Sequence, residues 1–446
     1  PIKVSQAYYC EDPFLNQLGV NPVFNLLTST LDDNRKENRT LHLMSEEDAL
    51  SKVQKYLHRQ GIDRLSPIAR KVEREGTPNR RNVVLVFMES MSANLMGTFG
   101  SDKKLTPYLD SLYQQSLSFS HFYSSGIHTN HGIYSTLYSF PAIMKRNAMK
   151  GSVIPVYSGL PTVLQENGYC NLFFMTHESQ YDNMNAFLRT NGFDEIYAQE
   201  NYPSEKVVNS FGVQDDFMYQ YALPILNERA GTGNPFFSVL LSISNHPPYV
   251  IPPYFHPHSD VLEEQIVEYA DWSIRQFMQA AEKQPWFDNT IFVFLGDHGK
   301  MVGTPECEMP QSYNHIPLMI YGKDIKPGVY DGFGGQVDVS PTLLGLLNIS
   351  YLQNNFGVNL LEEERPCMFF TADNLIGARD SVNMFIYSPD SQQEFKYKLE
   401  EGKLHAATGT DEEAFRNLKD YCFSMLQSTE SLVKEHKTLD KVSVKK

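Results

Sequence analysis

The five cysteines, Cys10, Cys170, Cys307, Cys367 and Cys422, include no C-x-x-C pair. That spacing suggests neither a zinc knuckle nor a dense disulfide framework; it fits scattered core thiols and leaves room for one disulfide. No apolar run approaches the ~18 residues that span a bilayer. The longest, NVVLVFM and FFSVLLSIS, have strand length. Positive charge is not in excess: the formal net charge is −15. A general nucleic-acid binder normally shows a basic face, so that partner class is set aside. A local positive site stays open, because a bound metal can supply the charge. Internal repeats and low-complexity tracts are also missing.

What is present is a globular composition. The 446 residues are 41% hydrophobic and 20% charged, enough for a large core and more than one domain. The first residue is Pro1, so a processed form or fragment is expected, with a signal peptide or membrane anchor ahead of it.

Residues 1–80 are heterogeneous and read as a helical arm and linker. NPVFNLLTSTLDD suits a short helix. LMSEEDALSKVQKYLHRQG predicts another, with Ser45 as N-cap, acids in the first turn and Gly61 as the stop. REGTPNRR is a polar connector. From Asn82 the character changes. NVVLVFMES is a continuous apolar run ending in a carboxylate, as expected for a strand buried on both faces. YCNLFFMT, PFFSVLLSIS, NTIFVFLGD and HIPLMIYG follow the same rhythm. Helical patterns such as TPYLDSLYQQS, PTVLQENG and VEYADWSIRQFMQAAEK lie between them. This alternation predicts an α/β domain over 81–365 with a mostly parallel sheet. Residues 366–446 read as a small α+β subdomain: antiparallel strands in VNMFIYSPDSQQEFKYKLEEGKLHAATG, then an amphipathic helix in DEEAFRNLKDYCFSMLQSTESLVKEH and a frayed basic tail, KVSVKK.

Ligands of open α/β sheets gather at the carboxyl ends of the strands. Three predicted strand ends carry chemistry there: Glu89, the pair Asn245–His246, and the pair Asp297–His298. Neighbours on a regular strand point to opposite faces. Asp297 and His298 can therefore share one ion only if the backbone bends, which the flanking Gly296 and Gly299 allow. Glu, Asp and His together suit one divalent ion. Oxygen-rich ligation leans toward Mn²⁺ or Mg²⁺, and the histidine keeps Zn²⁺ open. In GIHTNHGIYSTL, Thr129 is expected to cap a helix starting near Asn130. Its hydroxyl would then sit where N–H groups and the helix dipole favour an anion. Metal coordination can activate such a hydroxyl for attack on phosphorus. Singly, each residue has a structural reading: a helix cap for Thr129, a surface acid for Glu89, a loop residue for His246, a core histidine for His315. Their joint appearance along one sheet edge carries the chemistry.

The segments NVVLVFMES, TPYLDSL, GIHTNHGIYSTL, GFDEIY, SISNHPPY, YADWSIRQF, FLGDHG and NHIPLMIYG resemble, in order, the alkaline phosphatase superfamily. More narrowly, residues 82–380 are similar to the extracytoplasmic catalytic domain of lipoteichoic acid synthase-like proteins, a sulfatase-related group that neighbours the phosphoethanolamine transferases. The resemblance implies a three-layer sandwich and metal ligands Glu89, Thr129, Asp297 and His298. It makes Thr129 the nucleophile of a two-step reaction through a phospho-threonine ester. It implies substrate contacts at His246, His315, Asn130 and Asn245, a phospholipid or glycan substrate at a membrane surface, and N-terminal membrane anchoring. The Cys/Ser-x-Pro-x-Arg signature of formylglycine sulfatases is missing. Lipoteichoic acid synthases read glycerol phosphate with a tryptophan and an arginine before the Gly-Phe-Asp segment. Here ESQYDNMNAFLRTNGFD holds no tryptophan, and Arg189 is its one arginine. The head group thus stays open between phosphoglycerol and phosphoethanolamine. A sulfuric ester hydrolase and a non-catalytic envelope-binding protein are the alternatives.

Overall fold

The uninterrupted apolar runs become the buried centre of one sheet. The computed structural model describes residues 40–62, 65–151, 154–400, 402–407 and 412–440. The helix expected in NPVFNLLTSTLDD, Cys10 and the tail KVSVKK lie outside the described residues. The central sheet has eight strands: Asn82–Met88 (β1), Leu117–Tyr123 (β2), Cys170–Met175 (β3), Glu195–Tyr197 (β4), Phe236–Leu241 (β5), Thr290–Gly296 (β6), Leu318–Tyr321 (β7) and Gly328–Gly335 (β8). Their order is β8-β2-β7-β6-β1-β5-β3-β4. Only β7 runs antiparallel to its neighbours, β6 and β2; the other pairs are parallel.

Every residue of β1, β5 and β6 is buried, as a strand covered on both faces requires. Successive side chains of β1 enter different layers. Val83, Leu85 and Phe87 pack in one core with the helices Thr129–Tyr138 and Leu160–Glu166. Val84, Val86 and Met88 pack in the other with Pro107–Gln115, Asp215–Ala230 and Leu262–Ala281. The result is a three-layer sandwich.

The first described helix, Glu46–Tyr56 (α1), starts as expected: Ser45 Oγ accepts from the Asp48 N–H at 3.2 Å. It ends at Leu57, ahead of the expected stop at Gly61, because His58 takes a left-handed turn with φ 50°. This helix packs on the last one, Glu412–Lys434, through a Lys52–Asp420 ion pair at 2.6 Å and the rings of Tyr56 and Tyr421 at 4.9 Å. The C-terminal sheet is antiparallel and five-stranded: Met368–Thr371 (β9), Ile376–Arg379 (β10), Asn383–Ser388 (β11), Gln393–Glu400 (β12) and Lys403–Ala406 (β13), paired in chain order. Among the described residues no helix is long and apolar enough to cross a membrane.

Candidate metal centre

The carboxyl ends of β6, β1 and β5 lie side by side. Glu89 follows β1 and is buried. Ser90 turns the chain in a left-handed conformation, φ 51°. Its N–H donates to Asp297 Oδ1 at 2.9 Å and its Oγ to Glu89 Oε1 at 2.6 Å, which ties two strand ends together. From the end of β5, Asn245 Nδ2 donates to the carbonyls of Glu89 and Ser90 at 3.1 and 3.2 Å. Its Oδ1 accepts from Lys300 Nζ at 2.6 Å.

Asp297 is 0% exposed. Oδ1 accepts the N–H groups of Ser90 and of His298, the latter at 2.7 Å, while Oδ2 is buried with no hydrogen-bond partner. A buried carboxylate oxygen without a donor is costly unless a cation meets it. His298 Nδ1 lies 2.8 Å from the Gly299 carbonyl. A carbonyl only accepts, so Nδ1 carries the hydrogen and Nε2 keeps its lone pair. That nitrogen sits 3.6 Å from Asp297 Oδ2 and 3.7 Å from Glu89 Oε1. The ligand atoms of Glu89, Asp297 and His298 lie within 4.8 Å of one another. The three residues fit a divalent ion.

Thr129 is the first residue of its helix, Thr129–Tyr138 (α3 of the site, preceded by α1 and by Pro107–Gln115, α2). The expected cap role falls one residue earlier, on His128, whose extended backbone (φ −130°, ψ 149°) holds the N-cap position. Freed from capping, Thr129 Oγ1 donates to Glu89 Oε2 at 3.4 Å. The nucleophile candidate is thereby joined to the ligand cluster, at a helix end whose first N–H groups precede any intrahelical acceptor. Close approach explains two glycines. A Cβ on Gly132 would lie 2.2 Å from the Asp297 carbonyl oxygen, and one on Gly299 2.0 Å from that of Ser312. Neither Gly296 nor Gly299 has a positive φ, so crowding rather than a left-handed bend calls for glycine beside Asp297 and His298.

Burial raises the proton affinity of Glu89 well above the usual carboxylate range, and the charge of Asp297 adds to it. A cation would reverse both effects. Burial pushes Lys300 down to about 8, against the pull of Glu89.

The remaining expected residues scatter around this cluster. Asn130 Nδ2 donates to Asp182 Oδ2 at 3.1 Å, and its buried Oδ1 has no partner. Asp182 also pairs with Lys150 at 2.9 Å. His246 stacks near Phe211, ring centres 4.3 Å apart, with Nδ1 2.6 Å from the Pro247 carbonyl. His315 is not among the clustered ligand atoms. Its Nε2 lies 2.9 Å from the Ser120 carbonyl, its ring stacks on Tyr123, and burial pushes it down to about 4. Arg189 turns to Asn185 Oδ1 at 3.0 Å and the Asp194 carbonyl at 3.2 Å. Two residues unseen in the sequence hold the site's frame. Ser90 is one. The other is Gln336, 0% exposed, whose Nε2 donates to the carbonyls of Gly296 and Asp297 at 3.1 and 2.7 Å and whose Oε1 accepts from the Ser125 N–H at 3.0 Å. It carried no local signal; Ser90 was visible only as the polar residue following a strand-end acid.

Comparison with known proteins bears on the family and the fold. The sulfatase family profile matches residues 81–349. The lipoteichoic acid synthase-like YvgJ of Bacillus subtilis is 25% identical over 362 residues, covering 74% of this chain and 56% of that protein. The lipoteichoic acid synthase of Staphylococcus aureus (strain USA300) is 24% identical over 400 residues, covering 79% and 58%. The chain thus spans a little more than half the length of these relatives. Among solved structures, a protein in the alkaline phosphatase superfamily from Vibrio parahaemolyticus superposes with a TM-score of 0.80 at 25% identity, covering 89% of this chain and 97% of that one. The lipoteichoic acid synthase LtaP from Listeria monocytogenes superposes at 0.69 and 21% identity, covering 86% and 98%.

Proposed function

The chain belongs to the sulfatase family, and from that premise we propose that it is a metal-dependent phosphoester transferase or hydrolase with Thr129 as nucleophile. The observation that carries this reading is the orphaned Oδ2 of Asp297, buried beside Glu89, His298 Nε2 and the Thr129 hydroxyl. Glu89, Asp297, His298 and Thr129 would hold one divalent ion, which would lower the proton affinity of the hydroxyl and stabilise charge on the phosphoryl group. The oxygen-rich set favours Mn²⁺, with Mg²⁺ and Zn²⁺ as alternatives.

In the first step Thr129 Oγ forms a bond to phosphorus as the ester's alcohol oxygen departs. The hydroxyl proton passes to its hydrogen-bond partner, Glu89 Oε2, and the departing alcohol oxygen takes a proton from solvent. The opening N–H groups of α3 favour the phosphoryl oxygens at that end. In the second step an acceptor hydroxyl, or water, takes the phosphoryl group and releases Thr129. Relatives named lipoteichoic acid synthase support an envelope-directed phosphotransfer, and the proposed reaction transfers a phosphoglycerol or phosphoethanolamine head group to an envelope lipid or glycan. The proposal places this work outside the cytoplasmic membrane, on a chain anchored by N-terminal helices, as the family resemblance implies. His246, Asn130 and Asn245 are the proposed substrate-side residues, and His315 belongs to the same proposal at lower rank because its ring is spent on Ser120 and Tyr123.

The test is metal analysis and intact mass of the purified chain, with bis-p-nitrophenyl phosphate and an arylsulfate as substrates. One divalent ion per chain, turnover of the phosphodiester and a phosphate adduct on Thr129 are expected. Turnover of the arylsulfate alone, or full phosphodiester turnover by Thr129→Ala, would sink the reading.

A further inference from the structure

The small C-terminal sheet reaches the loop that carries the nucleophile. β9 ends at Thr371, whose N–H and hydroxyl both donate to the Ser125 carbonyl, at 2.8 and 3.3 Å. Asn314 Nδ2 bridges the carbonyls of Thr371 and Ser124 at 3.4 and 3.3 Å. In the turn between β9 and β10, Asp373 sets its Oδ1 2.6 Å from Nε2 of His128. His128 is the residue immediately before Thr129.

Histidine is a poor choice for a helix N-cap, where a short oxygen-bearing side chain is preferred. Here it makes no capping bond. Its side chain instead crosses to another subdomain. The pair is not there for stability: the side chains are 40% and 36% exposed, and an ion pair so exposed contributes little. What a carboxylate on one ring nitrogen does is set the ring's rotation and tautomer. Asp373 accepts, so Nε2 carries a hydrogen. The ring of the buried His131 stands edge-on to His128, centres 5.1 Å apart. The His128 carbonyl meanwhile accepts the N–H groups of His131 and Gly132 at 2.9 and 3.1 Å, so the same residue anchors the first turn of α3.

Building on the phosphoester chemistry proposed above, we infer that Asp373 is a positioning residue for the reaction. It acts through His128: by fixing the N-cap imidazole it sets the opening turn of α3, and with it Thr129 Oγ against the cation ligands. The C-terminal sheet is thereby part of the catalytic unit and not an appendage.

The experiment compares Asp373→Ala, Asp373→Asn, His128→Ala, the His128→Ala/Asp373→Ala double variant and Thr129→Ala on bis-p-nitrophenyl phosphate. It reads kcat, KM, divalent ion per chain and thermal melting. Asp373→Ala should lower kcat by about 10- to 100-fold, the range seen when the partner that orients a site residue is lost. KM should stay within about twofold, with metal content and melting unchanged. Asp373→Asn, whose amide oxygen still accepts from Nε2, should recover most of the rate. The double variant should be no slower than His128→Ala, because the two residues act along one path. The inference is overturned if Asp373→Ala keeps kcat within about threefold of wild type. It is equally overturned if its loss adds to that of His128→Ala, or if Asp373→Asn is as slow as Asp373→Ala and both melt earlier. Thr129→Ala separates the two levels. If it is inactive, the Asp373 results judge the positioning role alone; if it is active, the phosphoester reading falls and the positioning role with it.

Discussion

Asp297 and Asp338 are both 0% exposed, and the short turn Gln336–Asp338 stands between them, with Gln336 bonded to the backbone of one and Asp338 itself the other. Their surroundings differ in one respect. Asp338 is fully met. Oδ1 accepts from Arg365 and from the Val358 N–H at 2.6 and 2.9 Å, and Oδ2 from Arg365 and the Gly335 N–H at 2.7 and 3.0 Å. Arg365 is itself buried and spends a further donor on the Phe356 carbonyl at 2.6 Å. Asp297 has two donors on one oxygen and none on the other, and a second carboxyl group, Glu89, shares its cluster. A fold that needs a buried carboxylate only for architecture brings the counter-charge in its own chain. One that leaves two carboxylates facing each other has reserved the place for a cation from outside.

Thr129→Ala should lower phosphodiester turnover by ~10⁴-fold or more, as loss of a nucleophile does, while melting stays close to wild type because the residue no longer serves as a cap. Steady-state rates and melting curves check both halves; an active variant would detach the carboxylate cluster from the chemistry. Arg365→Ala should do the opposite. Removing one partner of a buried pair strands the other charge and costs about 3–5 kcal/mol. Denaturant unfolding should show that loss, and metal content at saturation should not change in the folded fraction. Gly132→Ala should fall between the two kinds. Its Cβ would meet the Asp297 carbonyl oxygen at 2.2 Å, so α3 must move off the metal loop, at about 1–3 kcal/mol for overpacking. Metal affinity and turnover should fall together; a variant with wild-type affinity would mean that α3 and the loop adjust independently.

How far these features could be read from the sequence depended on whether the signal was local. β1, β5 and β6 are mainly apolar runs followed within a few residues by polar ones, so Glu89, Asn245, Asp297 and His298 could be assigned to one edge before any coordinates. β2 has no continuous apolar run to mark it, since LSFSHFY carries two serines and a histidine, and β8 is obscured because GVYDGFGG is glycine-rich and slips register between Tyr330 and Phe333. The helix starts one residue before the sequence pattern predicts, since a histidine at the N-cap carries none of the usual capping chemistry. The contacts that finish the site join distant stretches of chain: Ser90 to Asp297 across 207 residues, and His128 to Asp373 across 245. No periodicity or spacing rule encodes such pairs.

The smallest expected effect tests the contrast most directly. In chelator-treated protein, Asp297→Asn should leave stability unchanged or raise it by up to about 1 kcal/mol, although the residue is as buried as Asp338. The amide oxygen can keep the N–H groups of Ser90 and His298. The amide nitrogen gives the orphaned position a donor, facing Glu89 Oε1 and His298 Nε2, both of which can accept. One of two opposed carboxylates is also removed, so the proton affinity of Glu89 should relax toward its ordinary value, since Asp297 is the second cause of its rise. Adding Mn²⁺ should then raise the melting temperature of wild type, by preferential binding to the folded state, and leave the variant unmoved. Should the metal-free variant unfold as readily as Arg365→Ala, Asp297 would be an architectural carboxylate like Asp338, and the distinction between the two would be lost.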